Sequence, residues 1–404
     1  MTAPSTYDAC IVGAGLVGLA TARAILERSP DLSLIVIDKA DRVAAHQSSH
    51  NSGVIHSGLY YKPGSMKARL TVEGRDLIYD LAAEHDIPHR RSGKLVIATD
   101  PSEIEALDEL ERRGRANGRQ GLERIGADGI ADFEPAAAGI DALHVTEAGI
   151  IDYPALAGHI AAELTRNGAV VSLGTPVTRI DQRDSGVAVT AGGSTVTARC
   201  LINCAGLHSD RVAILAGVTP SVRIVPFRGE YYRMTERSAH LVKALVYPVP
   251  DPRFPFLGVH FTRRIDGTVE VGPNAILALG REHYRGASPD WRDLRETIAF
   301  RGFHKLARQH WRSGSRELVG SRSRRLYARA ARSLVPAVRT EDLLPGGAGI
   351  RAQAVTIDGD LVDDFVIETM GSTIHVLNAP SPAATACLAI GRHIASEAAA
   401  AFRW

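Results

Sequence analysis

The sequence predicts a mixed α/β and α+β protein: a discontinuous Rossmann-like nucleotide-binding domain interleaved with a second domain built on an antiparallel sheet. Three observations lead there. The turn Gly13-Ala14-Gly15-Leu16-Val17-Gly18 sits between a short apolar strand and an Ala/Leu-rich helix. A second strand and small-residue helix, Ile374–Pro382 into Ala383–Ala395, return near the C-terminus. Between them, residues 226–273 read as short β-like runs separated by Pro and Gly. At 404 residues the chain is too long for one compact core. The expected limits are 1–90, 145–225 and 340–404 for the nucleotide-binding domain, and 91–144 with 226–339 for the substrate domain.

Composition narrows the function classes. Hydrophobic content of 45% and charged content of 23% exclude wholesale disorder, and a net charge of +2 makes no general case for nucleic acid. Cys10, Cys200, Cys204 and Cys387 are sparse, and the C-x3-C spacing of Cys200 and Cys204 matches neither a zinc knuckle nor a redox pair. They read as reduced core thiols, which fits a cytoplasmic protein. A strand pattern begins by Asp8, leaving no room for a signal peptide, and the apolar run Ile11–Leu26 is broken by three glycines and Arg23. A soluble, or at most peripheral, protein is expected. The run 301–332 holds ten Lys or Arg against Glu317 alone. It reads first as the solvated face of a helix pair, and second as a surface for membrane or acidic partners.

The elements follow in chain order. Tyr7–Val12 is a strand, the glycine turn leads into a helix through Arg28, and Ser33–Ile37 is a second buried strand ending at Asp38. Gly13 makes the tight turn, Gly15 lets the backbone approach a pyrophosphate, and Gly18 allows close helix–strand packing. Asp38, 20 residues beyond Gly18, is placed to bind an adenosine ribose. Gly93–Thr99 is a strand. Tyr153–Arg166 is a helix followed by strands at 169–171, 177–180 and 186–190, then by the buried strand Ala198–Cys204 ending in Ala205-Gly206. Tyr231–Arg233, Ala244–Tyr247, Leu257–Thr262 and Thr268–Val271 form an antiparallel roof, followed by helices near 291–311 and 316–334. The returning strand and the late helix start beside Pro380 and Ser381 favour FAD over NAD.

Several long strings then carry a specific resemblance. HQSSHNSGVIHSGLYYKPGSMKARL (46–70), PFRGEYY (226–232), the run 247–278, GIRAQ (349–353), LVDDFVIE (361–368) and HVLNAPSPAATACLAI (375–390) resemble the L-2-hydroxyglutarate dehydrogenase/oxidase family of D-amino acid oxidase-like flavoproteins. The likeness runs from Asp8 to about Ile394. It implies FAD, oxidation of L-2-hydroxyglutarate to 2-oxoglutarate, and oxygen or a membrane quinone as electron acceptor, with no nucleic-acid partner. Ser48-Ser49 departs from the Thr-Gly expected there. Flavin-dependent glycerol-3-phosphate dehydrogenases carry I-H-G-G-L-R-Y where this chain has Ile55–Tyr61, so the phenol of Tyr60 with neighbouring Lys62 replaces a phosphate-holding arginine and argues for a carboxylate.

Chemistry assigns the candidates. Removing a hydride from C2 while the hydroxyl loses its proton calls for a neutral histidine, and His56 and His260 are near-equal candidates. A dianion needs separate holders. Arg351, which resembles an anion-binding arginine in a GVRP-like turn, is expected to follow a Gly-rich turn at 346–349. Arg228, Tyr60, Tyr61, Lys62 and Thr262 complete the substrate set. Cofactor contact is assigned to Gly13, Gly15, Gly18, Asp38, Lys39, Ser49, His50, Asn51, Ser52, Gly53, Val177, Ala205, Gly206, Pro380 and Ser381. No metal site is expected. An amine oxidase of the same fold, a flavin-dependent nucleic-acid modifier and a non-catalytic flavin-binding regulator are the alternatives.

Overall fold

The computed structural model describes residues 6–250, 258–284, 288–310 and 323–404. Two large sheets organise them. In the first, Thr6–Val12 lies between Ser194–Asn203 and Leu34–Ile37, parallel to both, and Val170–Ser172 follows beyond. Thr373–Asn378 pairs in parallel with the end of Ser194–Asn203, and Val366–Met370 covers its other edge. The antiparallel strands Val177–Arg183 and Gly186–Ala191 extend the other end. The apolar strands are buried on both faces: helices Leu16–Arg28, Ala383–Phe402, Met66–Glu84 and Tyr153–Arg166 pack on one, and Val189, Val212, Ala213, Ile224 and Ile350 pack against Cys10, Val12, Ile35 and Ile37 on the other. The long helix Met66–Glu84 is not among the expected elements; Ser65 caps it by accepting from Ala68 N.

The second sheet is the roof. Its path runs from Ile276–Leu277 through Val222–Met234, Val269–Gly272, His260–Arg263, Leu245–Pro248, Lys94–Ala98 and Asp141–Val145 to Leu122–Gly126. Leu343–Thr356 pairs with Val222–Met234 along almost its whole length. The chain therefore enters the roof sheet a few residues before 226 and is still in it after 340. The expected Gly-rich turn at 346–349 is instead part of this strand. A Cβ at Gly349 would press on the His50 carbonyl at 2.7 Å, so the glycine serves close backbone approach rather than a reversal. Leu257 lies outside the described residues, and the strand there runs His260–Arg263.

The first late helix spans Trp291–Ala299, is interrupted at Phe300, and helical backbone resumes over 301–310; the second is described from Arg324 to Leu334. Arg301, Arg308, Arg324, Arg325, Arg329 and Arg332 are exposed, the solvated-face arrangement, while Arg312, Arg316 and Arg322 lie outside the described residues. All four cysteines are free and buried. No helix among the described residues is long and apolar enough to cross a membrane.

Candidate active site

A cleft of about 910 Å³ runs between the two sheets, from Asp38 and Val177 past Gly13, Gly15 and Gly206 to His56, Arg351 and Thr385. That is the upper end of ligand-site volumes and suits a large cofactor with a small substrate. The glycine turn behaves mechanically as its spacing requires. Gly13 has φ +114°, and a Cβ there would strike the Cys204 carbonyl. A Cβ at Gly18, which lies behind the turn, would strike the Gly13 carbonyl, whereas Gly15 meets only Ser48 Oγ at 3.1 Å. The helix start beyond Gly15 therefore opens onto the cleft as an anion cradle. Asp38 uses its carboxylate to take the amides of Ala14 at 2.7 Å and Ala40 at 2.8 Å. It shapes the turn and lines the cleft, with lone pairs left to accept further hydrogen bonds.

The loop 44–53 forms the next wall. His50 and Asn51 line the cleft with Ser52, and each is locked in place. His50 Nδ1 meets the His46 carbonyl at 2.9 Å and its ring stacks on Tyr284 at 3.9 Å. Asn51 donates to the Ser48 carbonyl at 2.8 Å and accepts from Gly53 N at 2.9 Å. Ser49 and Gly53 do not line it. The Ser49 hydroxyl turns inward to the Ala44 carbonyl, and Gly53, at φ +70°, bends the chain into the strand Val54–Ile55. Val177, Ala205, Gly206, Pro380 and Ser381 all line the cleft. The late helix begins at Ala383 with Pro382 at its N-cap, so Ser381 is not the capping side chain. Lys39 lines the cleft but is already engaged: with His208 Nε2 at 3.0 Å and with Glu282. Burial alone would raise the Glu282 carboxyl, but His208, His46 and Lys39 hold it far below the carboxylate range.

The substrate end gathers side chains from six segments. His56 follows the strand Val54–Ile55, which the strand Gly149–Ile151 holds in register. Its amide donates to Thr385 Oγ1 at 3.1 Å, and its buried Nδ1 has no partner among the described residues. Burial, then the charge of Lys94, pushes its pKa down to about 3. His260 is 5% exposed, stacks on Tyr247 at 4.0 Å, and is lowered to about 4 chiefly by burial. Its Nδ1 lies 2.8 Å from the Gly258 carbonyl. A carbonyl only accepts, so Nδ1 carries the proton and Nε2 keeps the lone pair. Thr262 shares the strand face of His260, next to Tyr247. Arg351 lines the cleft with its side chain exposed to it; desolvation by the surrounding protein lowers its pKa against the opposing pull of Tyr231, Asp363 and Tyr61. Arg228 lines the cleft too, donating to the His283 carbonyl at 3.1 Å beside Glu230 at 3.4 Å.

The Tyr60-Tyr61-Lys62 trio separates. Tyr61 lies under Lys67 Nζ at 5.0 Å from its ring centroid. Tyr60 meets Lys94 Nζ at 3.3 Å. None of the three lines the cleft, and neither do His260 and Thr262; Lys62 differs from them in being exposed, because the helix start at Ser65 turns the chain outward there, away from its expected substrate contact. The cation beside Tyr60 is Lys94. Sequence reasoning missed it, although a lysine opening the otherwise apolar strand KLVIA was the available signal. Tyr247, Tyr153 and Thr385 were also missed; Tyr153 OH bonds Thr385 Oγ1 at 3.1 Å, and both line the cleft.

With this geometry in view, the likenesses to known proteins are consistent. The family model of the FAD-dependent oxidoreductases, DAO, matches residues 8–397. An L-2-hydroxyglutarate dehydrogenase of Indibacter alkaliphilus is 44% identical over 95% of this chain and 97% of its own length. That of Escherichia coli is 39% identical over 97% and 93%, and the human mitochondrial one 41% over 97% and 89%. Among solved structures, an FAD-bound L-α-glycerophosphate oxidase from Mycoplasma pneumoniae superposes with a TM-score of 0.80 at 23% identity, over 99% of this chain and 96% of its own. The glycine cradle, the open helix start and the cleft's length fit FAD. The chain belongs to the DAO family of FAD-dependent oxidoreductases and groups within it with the proteins named L-2-hydroxyglutarate dehydrogenase.

Proposed function

We propose that this protein oxidises L-2-hydroxyglutarate to 2-oxoglutarate, with His260 as the group that takes the hydroxyl proton. The observation that supports it most is that His56 and Arg351 line one end of a cofactor-sized cleft, while His260 and Lys94, which do not line it, are buried close enough to His56 for their charges to act on it. Bound FAD supplies the acceptor for the hydride that leaves C2. The chain's own task is to hold the acid and manage one proton. Arg351 holds the carboxylate next to C2 through its planar fork. His260 faces the hydroxyl with Nε2, its tautomer held by Gly258, and receives the proton as the C2–O bond becomes a carbonyl. His56, at the cleft wall, orients the same hydroxyl.

Anaerobic addition of L-2-hydroxyglutarate to the yellow protein should bleach its flavin band. Flavin that stays oxidised with this acid but is reduced by glycerol 3-phosphate or glycine would overturn the reading. Colour returning rapidly on admitting oxygen marks oxygen as acceptor; slow return marks a quinone. His260→Ala should slow reduction by roughly 10²–10⁴-fold. The lone pair must be free, so activity is present above the histidine's pKa and lost as pH falls through it. With that pKa near 4, flavin reduction should show no break between about pH 7 and about pH 5.5. A break near the ordinary histidine value would contradict the assignment.

A further inference from the structure

Five Lys or Arg side chains are buried among the described residues: Lys67, Arg75, Lys94, Arg119 and Arg281. Four of them face a carboxylate. Lys67 meets Asp363 at 2.8 Å, Arg75 meets Asp76 at 2.7 Å, Arg119 meets Glu147 at 3.3 Å, and Arg281 pairs with Asp210. Lys94 is the most buried, at 1% exposed, and no carboxylate among the described residues compensates it. Among the described residues its Nζ has only the Tyr60 hydroxyl at 3.3 Å and the rings of Tyr60 and Tyr247, whose centroids lie 4.4 and 4.8 Å away. A buried ammonium without an anion is costly, and two phenol faces offset little of that cost.

The register shows why the charge matters to the site. Lys94 pairs with Leu245, and Leu245 with Thr262, so the three form a row across the roof. Tyr247 and His260, two residues along their strands, share that face. The charge of Lys94 is felt by both His56 and His260. Arg351 stands on a different strand, opposite Phe227.

We propose that Lys94, with the Tyr60 hydroxyl, receives the substrate carboxylate remote from C2 and so selects dicarboxylic over monocarboxylic 2-hydroxy acids. This rests on the function proposed above. The substrate brings the anion that none of the described residues supplies, while Arg351 is kept for the carboxylate shared by every 2-hydroxy acid. The half-buried Tyr60 faces Lys94 on one side, so its hydroxyl can donate to the same anion.

The test compares two acids of equal chain length, L-2-hydroxyglutarate and L-2-hydroxypentanoate, on FAD-loaded parent and Lys94→Met. The ratio of their kcat/KM values should fall by roughly 30- to 3,000-fold in the variant, as for loss of one partner of a buried charge pair. Tyr60→Phe should lower the same ratio by a smaller factor, and Lys94→Arg should restore part of it. Equal losses for both acids, or none, would overturn the proposal. Glutarate and pentanoate, which cannot be oxidised at C2, give a second reading through their perturbation of the flavin spectrum. Lys94→Met should weaken glutarate selectively, and equal weakening counts against the proposal even if the parent proves inert to L-2-hydroxyglutarate. That inertness would strike the proposed function instead. Should Lys94→Met fail to load FAD, Lys94→Gln and Tyr60→Phe carry the same comparison: a selective loss of the dicarboxylic acid supports the proposal, and an equal loss overturns it.

Discussion

The glycine turn at 13–18 and the wall around Lys94 solve opposite problems. The turn brings backbone close to an anion by omitting side chains, and its parts lie within six consecutive positions of the sequence. The wall brings charge close to an anion by burying it, and its parts come from Tyr60, Lys94, Tyr247 and His260, which meet only after the roof sheet forms. The first kind of site is steric and local; the second is electrostatic and depends on register. Substitutions should therefore fail differently in the two places.

The largest effect is expected at the turn. A Cβ at Gly18 would overlap the Gly13 carbonyl, a backbone atom that cannot swing aside. Relief therefore requires the turn itself to shift, which distorts the cradle, so the loss expected here is of cofactor binding altogether. Gly18→Ala should yield protein without bound flavin, read as a missing visible absorbance band in soluble protein. A variant with full flavin content would show that the turn can relax, and that steric closeness is not what the glycine provides.

That contrast also explains what can be read from the chain. The strand, turn, helix and strand around Gly13 and Asp38 are legible because the motif's spacing is its mechanism. His56, His260 and Arg351 are legible as residue types suited to the chemistry. Gly346, Gly347 and Gly349 look like turn residues, however, and so place Arg351 after a reversal that the fold does not make. Only the pairing of Leu343–Thr356 with Val222–Met234 reveals them as strand positions. Lys62 draws attention ahead of Lys94 because it lies two residues from Tyr60 in sequence. Such nearness says little where a chain turns outward at a helix cap, and the pairing that brings Lys94 to Tyr60 is long-range.

The seam between the two regions should be the next most sensitive place. Asp210 and Arg281 are 1% and 4% exposed, and they link the nucleotide side to the roof. Asp210 accepts from Ile224 N at 3.1 Å, while Arg281 donates to the Leu207 carbonyl at 2.6 Å. Asp210→Ala leaves the buried guanidinium with only the more distant Glu296 at 4.0 Å and should lower unfolding free energy by about 3 kcal/mol. Chemical denaturation measures this, and a loss below about 1 kcal/mol would mean the two sheets do not depend on the pair.

The smallest expected effect has the opposite sign. Lys94 is a charge the substrate-free fold holds at a loss, so Lys94→Met should stabilise the ligand-free protein by at least about 1 kcal/mol at pH 7. Its pH dependence follows from the native pKa, lowered by burial to about 7 against the ordinary 10.5. Between those values the unfolded chain binds more protons than the native one, so this group's contribution to stability rises with pH across the window. The penalty is complete below about pH 7 and vanishes toward pH 10. The advantage of Lys94→Met over the parent should therefore narrow steadily as pH is raised from 7 to 10, in paired denaturation series. Glutarate should close the same gap at pH 7 by stabilising the parent more than the variant. A variant less stable than the parent at every pH would show that Lys94 serves packing through its methylene stem, and the roof would then lose its claim to be a built anion site.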